Sequence, residues 1–283
     1  MRQLRKLRRS LLCWLVLSPL LLVTLLPFAV MLSTALKPHA EVLRYPPRWL
    51  PEAITWGNFA EMWDVVGFGQ AAFNSVLIAV AATLLALLIA VPAAYAMSRL
   101  QFRGRGAYRQ FLLVTQMLSP ILLVLGIFRM AASIHIGDGT LVDTRSAVVV
   151  IYAAYHLAFA VWMLSSYFAT IPRDLEEAAW IDGASRAQAV LRIFLPLAMP
   201  AMAVTGIVTF VASWNEFTVA LTLLRDPARL TLPLKVVNLV AGRYAVEWNQ
   251  VMAATLLATV PVAIVFAVLQ RYLVQGLTLG AVK

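Results

Sequence analysis

The sequence predicts an all-α integral membrane protein with six transmembrane helices. Three observations lead there. Apolar residues fill 62% of the 283 positions and charged residues only 13%, against roughly a quarter charged in a soluble domain; mean hydropathy is +0.83. The apolar residues gather in six runs, each long enough to supply the roughly 20 residues that cross a hydrocarbon core. Between the fourth and fifth runs lies one polar island, Ile171 to Pro196, IPRDLEEAAWIDGASRAQAVLRIFLP. Six spans take less than half the chain, so one membrane domain suffices.

Met1 to Arg9 carries five basic residues and runs straight into the apolar stretch Leu11 to Leu36. That stretch is too long for a signal-peptide core and reads as an uncleaved first span, which Pro19 and Pro27 should bend. Residues 37–70 mix prolines, acids and tryptophans (Trp49, Trp56, Trp63), a composition suited to an external loop with an interfacial segment or to a plain spacer. The second span covers about Ala72 to Met97 and ends in a basic turn of Arg99, Arg103, Arg105 and Arg109. The third, Tyr108 to about Met130, holds Gln116 and Pro120, which frees a backbone carbonyl and should kink the helix. A polar loop with Gly137, Asp138, Gly139 and Asp143 leads to the fourth span, about Ser146 to Ala169, with His156 expected to be buried at membrane depth.

In the polar island, Pro172 suits a first helical turn, and Asp174, Glu176 and Glu177 place negative charge where the N-terminal end of the helix dipole favours it. Gly183 falls where that helix should stop, since glycine takes the left-handed conformation of a C-terminal cap. Ser185 can cap a second helix, with Ala187, Val190, Leu191 and Phe194 at helical spacing, until Pro196 interrupts it. The expected product is an amphipathic helix, turn and helix on a membrane surface, although composition alone is equally compatible with an ordinary connecting loop. The fifth span, Leu197 to Leu224, contains Trp214-Asn215-Glu216-Phe217. Arg225 to Gln250 reads as an external loop, and the sixth span, Val251 to Tyr272, as a helix broken at Pro261.

Glu177-Ala178-Ala179, then Gly183, then Ile193, Leu195 and Pro196 fill every position of E-A-A, three residues, G, nine residues, I-x-L-P. This resembles the EAA loop of the membrane subunits of ATP-binding-cassette importers. Asp182-Gly183-Ala184-Ser185, the AYAMSRLQFRGR stretch, WNEF and the QRYLVQGLTLGAVK tail look like the carbohydrate branch, which includes maltose-transporter permeases. The resemblance covers residues 70–283 well and the first 70 loosely. It implies a type I ABC importer (MetI-like) permease fold, with a region 1–70 preceding a permease domain 71–275 that carries the coupling loop 171–196, then a cytoplasmic tail 276–283. It further implies that Glu176, Glu177, Ala178, Ala179, Asp182 and Gly183 form the coupling helix docking on the cytoplasmic ATPase, and that Gly276 to Lys283 reaches toward the same partner. The implied assembly contains a second homologous permease, two ATPase copies and a periplasmic solute-binding protein, in a bacterial plasma membrane. The solute would be carbohydrate-like, and glycerol phosphates are also handled by similar chains.

Charge counting bears on orientation independently. Placing both termini inside puts 14 Lys and Arg in the inner segments and nine in the outer ones, so both termini and the EAA loop are expected in the cytoplasm. The net charge of +10 then marks inner flanks against lipid and gives no reason to expect nucleic acid. The lone Cys13 excludes an intrachain disulfide. No G-x-x-x-x-G-K-[ST] occurs, so the chain has no phosphate loop of its own, and ATP and Mg are expected on partner subunits. No catalytic centre or metal-ligand spacing appears, and His39, His135 and His156 read as packed or interfacial residues.

Three readings compete, the last of them a membrane-anchored structural or signalling subunit without transport activity, which would lack an ATPase-docking loop. A permease forming half of a translocation path accounts for the EAA stretch. An ion-coupled secondary transporter would need paired ionisable groups near the midplane, where only Glu216 and His156 are available. For the solute path the candidates are Trp214, whose face suits a sugar ring, Asn215 and Glu216, which lies about 9 Å from the centre of its span at 1.5 Å per residue. The alternative is that Asn215 and Glu216 tie helices together.

Overall fold

The structure, a computed structural model, describes residues 2–136, 139–241 and 246–279. Gly137, Asp138, Gly242 and Lys283 lie outside the described residues. By contact density the chain divides into two compact units, 1–69 with 235–260, and 70–234 with 261–283.

In the first unit, α1 (Arg2–Ala35) is helical through Pro19 and Pro27; residues 13–30 leave their side chains exposed, as a lipid-facing span requires, and the helix becomes covered only toward Ala35. α2 (His39–Val42) and α3 (Gly57–Val66) follow. Buried Asn58 ties this unit together: its side-chain amide donates to the Ala35 and Lys37 carbonyls at 2.8 Å each, and its oxygen accepts from Asn249 at 2.9 Å. A buried amide with three partners is well satisfied.

The second unit begins within α4 (Phe68–Arg99). Ala82, Ala86, Ala90 and Ala94 are fully buried at helical spacing, and such a row of small side chains lets neighbouring backbones approach closely. Next come α5 (Arg105–Gln116) and α6 (Pro120–Ser133), which meet at 97°. The third apolar run is therefore broken outright and not merely kinked. Ser119, held extended before proline (ψ 133°), ends the first piece and Pro120 opens the second as its first residue. A two-residue ladder, β1 (His135–Ile136) with β2 (Gly139–Thr140), precedes α7 (Arg145–Phe168), which Thr144 caps.

α8 (Asp174–Ile181) and α9 (Arg186–Ala189) form the polar island. Pro172 stays outside α8, two residues before its start. Pro196 does not interrupt the second helix: α9 passes through a π-helical stretch, Val190–Phe194, into α10 (Leu195–Trp214). Leu195 N–H bonds Val190 O, five residues back, and this widened turn makes room for a ring that would clash with the carbonyl four residues earlier. The fifth run is in turn broken at Asn215 to Phe217, ahead of α11 (Thr218–Leu223). α12 (Leu232–Asn238) and α13 (Trp248–Leu279) follow, α13 running on through Pro261 where a break was expected.

Five described helices are long and apolar enough to span, and α5 with α6 makes a sixth if taken as one broken span. Two cores organise the second unit. One gathers Met97, Leu164, Phe168, Phe194 and Ala198 beside α8. The other, at the opposite end of α7, gathers Ile78, Val148, Tyr152, Val219 and Leu223.

Candidate functional site

The polar island is built around one buried charge. Glu176 is 4% exposed. Its Oε1 lies 2.7 Å from Arg99 Nε, and its Oε2 accepts from the Tyr95 hydroxyl at 2.7 Å. Arg99 also donates to Ile171 O at 2.8 Å and stacks over Phe194, 5.2 Å from the ring centroid. Tyr95 and Phe168 meet the same ring edge-on at 5.0 and 4.9 Å. The end of α4, the start of α8 and the π-helical stretch thus share one closed network. An ion pair removed from water holds only when further hydrogen bonds satisfy both partners, and here Tyr95 and Ile171 supply them.

The turn beyond α8 is fixed by backbone alone. Gly183 sits at φ +85°, its N–H bonds Trp180 O at 3.1 Å, and Ala184 N–H bonds Ala179 O at 2.9 Å; together these make a Schellman cap. Ser185 and Gln188 then exchange side-chain and backbone bonds at 3.3 and 2.8 Å as a capping box. Two caps back to back leave little freedom in the tip.

This rigidity sorts the EAA residues by face. Glu176 and Ala179 point inward; Glu177, Ala178, Asp182 and Gly183 are exposed. Ile181, which the sequence reading passed over, is 87% exposed at the tip. Beside it a cavity of about 590 Å³ opens between α4, α8 and the π-helical stretch, with Arg173, Trp180, Arg186 and Leu191 in its wall; Arg186 stacks on Trp180 at 5.7 Å. Arg99 and Tyr95 were also missed as partners of the loop, because a basic residue closing a span carries no mark of which carboxylate it meets.

At the other end of α7 the second candidate group is taken apart. Trp214 is 3% exposed and stacks on Phe210 with centroids 6.0 Å apart, so its face is covered within the chain. Asn215 is exposed and donates to Val211 O at 3.0 Å in its own helix. Glu216 caps the helix that follows: its carboxylate accepts Val219 N–H at 3.0 and 3.1 Å and Ala220 N–H at 3.4 Å, satisfying two of the free donors of α11. It also lines a cavity of about 190 Å³ with Gln116, Tyr152, Tyr155 and His156. His156 is half-buried there. Gly276 falls within α13, and Lys283 lies outside the described residues.

Comparison with known proteins gives consistent matches. Residues 86–279 match the family described as "Binding-protein-dependent transport system inner membrane component". The inner membrane ABC transporter permease protein YcjP of Escherichia coli K12 is 34% identical over 93% of this chain and 92% of its own. The sulfoquinovosyl glycerol transport system permease protein SmoH of Agrobacterium fabrum is 34% identical over 94% and 91%. The trehalose transport system permease protein SugB of Mycobacterium tuberculosis is 32% identical over 95% and 97%. Among solved structures, a chain of a bacterial ABC transporter importing the acidic polysaccharide alginate superposes with a TM-score of 0.77 at 23% identity, over 96% of this chain and 98% of that one.

Proposed function

Since the chain belongs to the family of binding-protein-dependent transport system inner membrane components, and so is a permease subunit of an ABC importer with the type I importer fold, we propose that its cargo is a carbohydrate or sugar-derived solute. Relatives named for trehalose and for sulfoquinovosyl glycerol, each matched over more than nine-tenths of both chains, support the solute class.

In this reading the tip of α8, with Glu177, Ala178, Ile181, Asp182 and Gly183, docks on a cytoplasmic ATPase, and both termini lie on that side. The observation that carries it is the division of the EAA residues: one carboxylate is bolted to the span through Arg99, while the next faces solvent on a doubly capped turn. A push on the tip is thereby delivered to the end of α4 and, through Phe194, to α10. The remaining partners are a second permease, a second ATPase copy and a periplasmic binding protein, with ATP and Mg held by the ATPases. Gly276 and Lys283 at the tail are assigned to ATPase contact, and Glu216 to the solute path.

The test is uptake by the whole importer, purified through a tag on this chain and reconstituted in proteoliposomes. We expect ATP-dependent accumulation of at least one of trehalose, maltose and diacetylchitobiose. Accumulation of an amino acid with none of these sugars would contradict the solute class.

A further inference from the structure

We propose that the cavity between the two helix breaks is a subsite for one uncharged, hydroxyl-bearing ring of the transported solute. This rests on the importer reading above and adds the residues that read the solute and the charge it must not carry there.

The cavity exists because two helices stop at the same place. Gln116 and Pro120 bring the α5/α6 break to it, Glu216 brings the α10/α11 break, and α7 lies across both. Each break is tied to α7 by a tyrosine: Tyr152 donates to Glu216 O at 3.2 Å, and Tyr155 to Pro120 O at 3.4 Å. Irregular backbone at membrane depth is stable only where it is buried in protein or faces a wet cavity. Here the tyrosines satisfy one carbonyl of each break, and the cavity lies between them.

Its chemistry selects the ligand. Gln116, an exposed residue, turns an amide toward the space with no hydrogen bond to the described residues, and the Nε2 of His156 is buried with no partner among them. Such a group is costly unless something binds it. The two tyrosine oxygens, having given their protons away, still accept. Glu216 accepts the backbone N–H groups of Val219 and Ala220, and its carboxylate lines the cavity as a further hydrogen-bond acceptor. No Lys or Arg lines the cavity, so a phosphate, sulfonate or carboxylate group would meet Glu216 with nothing to offset it. Hydroxyls, which both donate and accept, match this set. At about 190 Å³ the space falls below the roughly 300–1,000 Å³ of sites enclosing a whole drug-sized ligand, so it takes one ring. It adjoins an apolar recess of about 270 Å³, with which it shares Thr115, Leu118 and Tyr155, a surface for the C–H face of that ring.

Leu118 lines both spaces and makes none of the polar contacts, so a cysteine there reports occupancy without removing a recogniser. In the Cys13→Ser background, Leu118→Cys is labelled in the purified complex by a methanethiosulfonate reagent, with Ile264→Cys as the exposed control. Trehalose at about ten times its Kd should slow labelling at Leu118 roughly tenfold, following the 1 + [L]/Kd occupancy factor, and leave Ile264 unchanged. Glycerol 3-phosphate at the same concentration should protect neither site. Adding Gln116→Ala or His156→Ala should remove the protection, whereas Trp214→Phe should keep it. Sugar uptake by the wild-type complex without protection at Leu118 would overturn the subsite alone. Protection by glycerol 3-phosphate equal to that by trehalose would overturn the charge selection. Absence of both sugar uptake and protection would sink the sugar-cargo reading along with it.

Discussion

At the residue scale, the decisive feature is a buried carboxylate. Glu176 is held inside the protein by Arg99, which faces it at 2.7 Å, and by the Tyr95 hydroxyl, which donates to its other oxygen. Removing only the cation leaves a buried anion uncompensated, which typically costs about 3–5 kcal/mol. Arg99→Ala should therefore lower the thermal unfolding midpoint of the purified chain sharply. Arg99→Leu combined with Glu176→Leu should recover most of that loss, because two apolar side chains need no partner. Tyr95→Phe, which deletes one bond to a charged group, should cost less, about 1.5–3 kcal/mol. If Arg99→Ala and the double replacement unfold at the same temperature, the pair is not the anchor described here.

At the element scale, the loops opposite α8 are held by Asp143. It adopts φ +60°, and its carboxylate accepts Arg225 N–H at 2.9 Å and Asp226 N–H at 3.1 Å, with Arg229 at 3.3 Å. Burial by itself raises its pKa, but the two backbone bonds and the nearby arginines outweigh that and hold the carboxyl below its ordinary value. A depressed pKa means that the contribution to stability is complete above the unfolded-state value, about 3.9, and fades only as pH falls through the lower folded one. The clamp should therefore be insensitive to pH between about 5 and 8. Asparagine tolerates a left-handed backbone, so Asp143→Asn isolates the charge: hydrogen exchange at Arg225 and Asp226 should quicken by about tenfold, equivalent to about 1.4 kcal/mol. Unchanged exchange at both amides would remove Asp143 as the clamp. The same side of the protein explains why one element was illegible in the sequence. Thr218 to Leu223 continues the apolar run, and nothing in that pattern reveals a carboxylate bending back onto the next turn to end one helix and begin another. Pro196 misled in the opposite sense, because a single π-helical turn absorbs it at no cost to continuity.

At the scale of the whole molecule, the apolar runs were enough to predict five spanning helices, and a sixth where α5 and α6 count as one broken span, since length and hydropathy are properties of contiguous sequence. The EAA spacing was enough to predict the capped turn, since Gly183 and Ser185 act through their immediate neighbours. What could not be read was every pairing across the chain: Glu176 with Arg99, Glu216 and Pro120 with the tyrosines of α7, Trp214 with the core. Those pairings divide the molecule's labour. The network around Phe194 joins the tip of α8 to α4 and α10, and α7 connects that end to the cavity between the broken helices. The claim that this chain takes its drive from an ATPase through the exposed face of α8 is tested most directly by Glu177→Lys, with Glu177→Gln as control, in the reconstituted importer. We expect Glu177→Lys to retain the fold, with an unchanged unfolding midpoint, and to lose ATP-dependent uptake by at least about tenfold, the cost of roughly 1.4 kcal/mol of mismatched charge at a docking surface. Full uptake at normal ATPase content by the lysine variant would contradict the account.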